Sequence, residues 1–168
     1  LKAYYKGFKV FNSTLPSFSP TEEIQLSIHD VVIEIRDGLG YPPDVNVIPE
    51  ITSEKMVDSA SLKPSFILER GRFQFRNIPK GSYVVRIAFA GYENEKKFSV
   101  PESGGVIPIQ FLARKELTVE VLTSRGEYIE SSDLSVRVMR NGNEILTEPI
   151  NKPLVLPPAT YGLSLFDN

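Results

Sequence analysis

Chemistry in this sequence has few places to start: one histidine, no cysteine, and three loop clusters of carboxylates. His29 lies beside Asp30, the first two parts of a charge-assisted triad, but no nucleophile motif accompanies them and a serine mechanism needs all three groups within reach. A surface histidine is the expectation. Without thiolates, with a single histidine, and with neither H-E-x-x-H nor H-x-x-E in the chain, a catalytic zinc site is not expected. Asp37 and Asp44 flank one loop, Glu50, Glu54 and Asp58 line the next, and Glu127, Glu130 and Asp133 occupy a third. Oxygen-rich loops suit hard cations such as calcium, yet none of the three has a recognised ligand spacing. The expectation is therefore solvated loops and no cofactor, with structural calcium as the minor alternative. Paired carboxylates for glycoside hydrolysis are supported by nothing more specific.

Tyr41, Tyr92 and Tyr128 fall in turns, where an exposed ring could stack on a sugar or anchor a protein partner. Turn and corner packing is the commoner use of such residues. Asn12-Ser13-Thr14 fits the N-glycosylation sequon, which matters only in an exported chain. No catalytic, cofactor-binding or metal-ligating residue is assigned, and the chain is not expected to be an enzyme.

Composition sets the outer bounds. The 168 residues carry 13 prolines and 11 glycines with 41% hydrophobic content, a mix that points to many turns between ordered strands. A net charge of −2 offers no basic field for nucleic acid. Apolar stretches reach only about five or six residues, against the roughly 20 that a membrane helix needs, so the piece is not expected to span a bilayer. The absence of cysteine leaves the compartment open. A first residue of Leu rather than Met suggests a piece of a longer parent, whose own membrane anchoring stays open.

The elements that must carry these residues read as short strands. Period-two alternation between turn signals recurs throughout, and no window shows a helical stripe. Strands are expected at 31–35, at 45–51 with Pro49 as a bulge or edge marker, and at 65–68 and 72–75 joined at Gly71. Further strands follow at 83–89, 95–100 and 106–112, with a mobile polar loop over 53–64. A second cycle begins with 117–121, turns at Ser124-Arg125-Gly126, and continues with 134–139. Asn141-Gly142 is the strongest hairpin signal in the chain.

The two cycles overlay by their punctuation. Asn77-Ile78-Pro79-Lys80-Gly81-Ser82-Tyr83 matches Val155-Leu156-Pro157-Pro158-Ala159-Thr160-Tyr161, 78 positions on. The expected organisation is residues 1–28 as closing strands of a preceding repeat or an N-terminal extension, 29–112 as one sandwich, and 113–168 as a second, truncated one. The second lacks closing strands after Tyr161, leaving an open sheet edge that residues 4–11 or 22–28 are expected to fill.

From Phe73-Gln74-Phe75-Arg76-Asn77-Ile78-Pro79-Lys80-Gly81-Ser82-Tyr83-Val84-Val85-Arg86-Ile87, with Gly91-Tyr92 beyond, the sequence resembles the carboxypeptidase regulatory-like, or transthyretin-like, domain. The earlier Ile35-Arg36-Asp37-Gly38-Leu39-Gly40-Tyr41-Pro42 resembles the same family, with Pro43 one residue later than its pattern. Residues 115–168 match loosely, with Val155 and Ala159 where the family has asparagine and glycine. The resemblance implies an all-β chain of two immunoglobulin-like or transthyretin-like β-sandwich modules in tandem. Such modules recur on bacterial and archaeal surface proteins and beside carboxypeptidases and transporters as non-catalytic accessories. They share no active site. The expected role is thus a spacer or binding platform, extracellular or at the cell surface, with a protein or glycan partner. The alternatives are a carbohydrate-binding accessory domain of an extracellular enzyme and a regulatory domain of a membrane transporter.

Overall fold

The computed structural model describes residues 2–12, 14, 23, 25–44, 47–56, 61–89, 91–129 and 134–167. The protein is all-β, with its sheets in sandwich-like arrangement and no helix among the described residues. Two compact units divide the chain: one comprises Leu1–Arg36 and Gly40–Phe111, the other Asp37–Leu39 and Leu112–Asn168.

The first unit opens with a hairpin of β1 (Lys2–Tyr5) and β2 (Phe8–Asn12). Its main body has β3 (Ile28–Arg36), β4 (Glu50–Thr52), β5 (Phe66–Glu69), β6 (Arg72–Pro79), β7 (Ser82–Phe89), β8 (Tyr92–Ser99) and β9 (Gly105–Gln110). One sheet has the order β5-β6-β3-β9 and the other β4-β7-β8. Among the described residues only the β3 and β9 pair is parallel, and Pro108 is tolerated because β9 is an edge strand. Alternation in the sequence becomes alternation in burial. Val31, Ile33 and Ile35 of β3, Phe73 and Phe75 of β6, and Tyr83, Val85 and Ile87 of β7 are all buried, while their neighbours face outward.

The hairpin joining β5 to β6 needs glycine at its bend. Gly71 has φ of +78°, and a Cβ there would lie 2.7 Å from the carbonyl oxygen of Ile35. Its own carbonyl accepts from the Ile35 amide at 2.6 Å, so turn and sheet are pinned together.

Three expectations for this unit change. The strand expected at 45–51 is only Glu50–Thr52; residues 45 and 46 lie outside the described set, and Val47 and Pro49 are buried without joining a ladder, to which a proline has no N–H to give. The polar loop over 53–64 is pinned at both described ends, since Met56 bridges Phe8 and Leu62 bridges Ile51. The N-terminal segment does not fill an edge of the second unit among the described residues. Its β1 and β2 pair with each other, Lys9 donates to the Lys55 carbonyl, and Ser27 accepts from the Lys80 amide, all within the first unit.

The second unit contains β10 (Lys115–Leu117), β11 (Leu134–Arg140), β12 (Asn143–Pro149), β13 (Leu154–Leu156) and β14 (Gly162–Asp167). Its sheets are β10-β13 and β12-β11-β14. Asn141 and Gly142 take φ of 52° and 82°, the two positive values that a type I′ turn demands. Val136, Val138, Leu154 and Leu156 form the core, with Val119, Ile145, Leu146 and Tyr161 packed against it. The strand expected at 117–121 stops at Leu117. Beyond it, Val119 and Val121 carbonyls accept from the Asn151 and Ile129 amides, so loop contacts replace the ladder.

Asp37–Leu39 belongs to this second unit. The Asp37 carboxylate pairs with the Arg140 guanidinium, both side chains being buried, and Asp37 Oδ1 accepts from the Leu39 amide at 2.8 Å. Arg140 also lies 5.7 Å from the centroid of the Tyr161 ring.

Candidate functional site

The residues with sequence-level chemistry do not converge. Asp30 is turned away from His29: its Oδ1 accepts from the Asn77 amide at 2.9 Å and its Oδ2 lies 3.8 Å from Arg76. His29 Nε2 instead meets the Ser27 hydroxyl at 2.9 Å. That is the nucleophile-to-base contact of a hydrolytic serine, and the sequence reading passed over it because Ser27 belongs to no motif. Among the described residues no carboxylate is seen to hold the other ring nitrogen. Glu102 is engaged by Lys80, whose ammonium holds that carboxyl below its ordinary range.

The loop carboxylates are likewise dispersed. Asp37 is buried with Arg140, whereas Asp44 lies in the other unit, 3.8 Å from Arg70. Glu50 is taken by Ser61 and Lys63. Asp58, Glu130 and Asp133 lie outside the described residues. No group of three His, Cys, Asp or Glu side chains placed to hold a metal exists among the described residues. Tyr41 and Tyr92, in the first unit, are partly covered, and Tyr128, in the second, is exposed. Asn12 is described in backbone only, and Ser13 not at all.

One hollow in the first unit is not announced by sequence motifs. A cavity of about 600 Å³ is lined by Ser53, Glu54, Lys55, Gly81, Ser82, Tyr83, Val84, Lys97, Phe98 and Ser99. A smaller one of about 160 Å³ shares Ser53, Lys55, Gly81 and Tyr83 with it and adds Phe8, Lys9, Ser27 and Lys80. Local structure fixes its walls. The Ser53 hydroxyl donates to the Ser82 carbonyl at 3.0 Å, tying the turn after β4 to the start of β7. The Val100 amide donates to the Gly81 carbonyl at 3.0 Å and closes the far side. Beneath, Tyr83 stacks on Phe98 with ring centroids 5.6 Å apart and meets the Phe8 ring edge-on at 5.8 Å. The Tyr83 hydroxyl donates to the Pro79 carbonyl at 2.6 Å, and burial raises its pKa.

Charge in this groove is one-sided. Lys9, Lys55 and Lys97 form no ion pair among the described residues, Lys80 is matched by Glu102, and Glu54 is the one carboxylate on the walls of the two cavities. The arrangement can attract an anion and offer it hydroxyl groups. Nothing in the sequence marked it, because its residues come from five separate segments that only the fold brings together.

No protein-family model and no curated protein matches the chain. Among solved structures it is similar to the Bacillus anthracis TIE protein, at 16% identity with a TM-score of 0.41, over 84% of this chain and 28% of that one. The chain thus spans less than a third of that protein.

No helix among the described residues is long and apolar enough to cross a membrane.

Proposed function

We propose that the chain is a non-catalytic interaction module of a cell-surface or secreted protein, two repeated sandwiches acting as spacer and binding platform without a cofactor. The observation that carries this reading is a corner found twice. Tyr83 donates to the carbonyl four residues back at Pro79, and Tyr161, 78 positions on, donates to the carbonyl of Pro157. A tyrosine tied in this way to the preceding turn is a device of β-sandwich corners.

The two departures in the second cycle also fit a repeat. Asn77 takes φ of 55° at a bulge opposite His29 and Val31, whereas Val155 pairs with Glu116 in an unbroken ladder and has no need of asparagine. Gly81 has no positive φ, and a Cβ there would meet only Tyr83, at 3.8 Å, so alanine suits position 159. The four-plus-three strand arrangement of the first unit is consistent with the carboxypeptidase regulatory-like family, whose members serve as such modules. An enzyme would need convergent perturbed groups in a cleft.

The test is surface labelling. An antibody against this chain should stain intact cells that make the parent protein, and external protease should remove the signal. Staining only after permeabilisation overturns the proposal. A carbohydrate-binding accessory role is the second reading, favoured by the lysine-lined groove alone.

A further inference from the structure

We infer that the groove beside the Pro79–Gly81 turn binds an acidic saccharide, a sugar chain bearing carboxylates, which deepens the platform reading and rests on it. Three observations carry this. First, a chain with net charge of −2 leaves Lys9, Lys55 and Lys97 without ion pairs on the walls of the two hollows that share Ser53, Lys55, Gly81 and Tyr83, while at least ten salt bridges hold cations elsewhere in the chain. A cleft lined by one sign of charge concentrates ligands of the other.

Second, the lysines stand on three separate elements, β2, the turn after β4, and β8. Charges distributed along a groove match carboxylates spaced along an extended ligand. A compact phosphate is better met by convergent forked donors or a nest of backbone amides, and no arginine lines either cavity. Third, the remaining wall is made for hydroxyl groups and a ring face. Ser82 and Ser99 border the hollow, with the partly exposed Phe98 between the strands. The volume of about 600 Å³ lies within the roughly 300–1,000 Å³ usual for small-ligand sites.

The experiment titrates the whole 168-residue chain with a short uronic-acid oligomer, a neutral galactose oligomer of the same length, and a glutamate peptide of equal charge. Variants are Lys55→Gln, Lys97→Gln and, as a control of equal charge change on the same strand outside the groove, Lys96→Gln. Each is checked for an unchanged melting temperature. The uronic-acid oligomer should bind saturably, more weakly as salt rises, with Lys55→Gln and Lys97→Gln each losing about ten-fold, equivalent to about 1.4 kcal/mol, and Lys96→Gln unchanged.

Absence of saturable binding, equal binding of the neutral oligomer, or equal loss in Lys96→Gln would overturn the inference. So would tighter binding of the glutamate peptide, which would assign the groove to acidic protein. Surface labelling reads the platform proposal separately, so a labelled chain that ignores the oligomer sinks the saccharide alone.

Discussion

Tyr161 donates its hydroxyl to the carbonyl oxygen of Pro157 at 2.7 Å, reproducing the 2.6 Å bond of Tyr83 to Pro79. In each unit the ring also packs inward, Tyr83 between Phe8 and Phe98, and Tyr161 on the second core. Replacing either tyrosine by phenylalanine keeps the ring and removes one hydrogen bond. Each change should cost about 1 kcal/mol, with the more deeply buried Tyr83 at the upper end. Because the two corners lie in separate units, the double variant should show the sum in denaturant titration. A strongly non-additive result would mean that the corners are coupled.

Alkali should act through Tyr83. Burial raises the pKa of its phenol above the ordinary 10.0, so above that pH the unfolded chain releases a proton that the folded chain keeps. The unfolded state then binds fewer protons and stability falls as pH rises. The contribution is intact below pH 10 and is lost progressively above it. Tyr83→Phe should flatten the alkaline limb of a melting-temperature profile; a limb of unchanged slope would place the sensitivity elsewhere.

Asp37 and Arg140 form an ion pair with both side chains buried. Removing one partner strands the other charge away from water, so Asp37→Ala or Arg140→Ala should cost about 3–5 kcal/mol. The double replacement Asp37→Leu with Arg140→Met should recover much of that loss. Since the pair is shielded from solvent, added salt should shift the stability of the native chain little. Chemical denaturation of the three variants at low and high salt decides the point.

A contrast in burial separates β7 from β14. Ile87 is 3% exposed, whereas Leu165, 78 positions on, is 48% exposed, and no strand pairs with the second edge of β14 among the described residues. Ile87→Ala should cost about 2–5 kcal/mol through lost burial and the cavity left behind. Leu165→Ala should cost about 1 kcal/mol or less, in keeping with its partial burial. Equal costs in thermal melts would show that Leu165 is covered in solution.

Much of the architecture was legible because it rests on local signals. Asn141-Gly142 gives a type I′ hairpin and Gly71 a bend, and the alternation in 83–87 gives a half-buried strand; each depends on neighbours within a few residues. Illegible features were those decided by distant partners. Whether 117–121 continues as a strand depends on where β13 begins, and Asn151 and Ile129 claim its carbonyls instead. Asp37 read as a loop carboxylate because nothing nearby announces Arg140, 103 positions on. The groove was hidden for the same reason, since Lys9, Lys55 and Lys97 share no motif and are brought together by the β4-β7-β8 sheet and the bridge from Phe8 to Met56.

The three residues Asp37–Leu39 have a consequence for where this chain can be divided. A gene segment that starts at residue 112 encodes every strand of the second unit but omits the carboxylate that neutralises Arg140. Expressed alone, that segment would carry an uncompensated cation in its core and would be less stable for it. A cut that keeps residues 37–39 with the second unit keeps that charge neutralised.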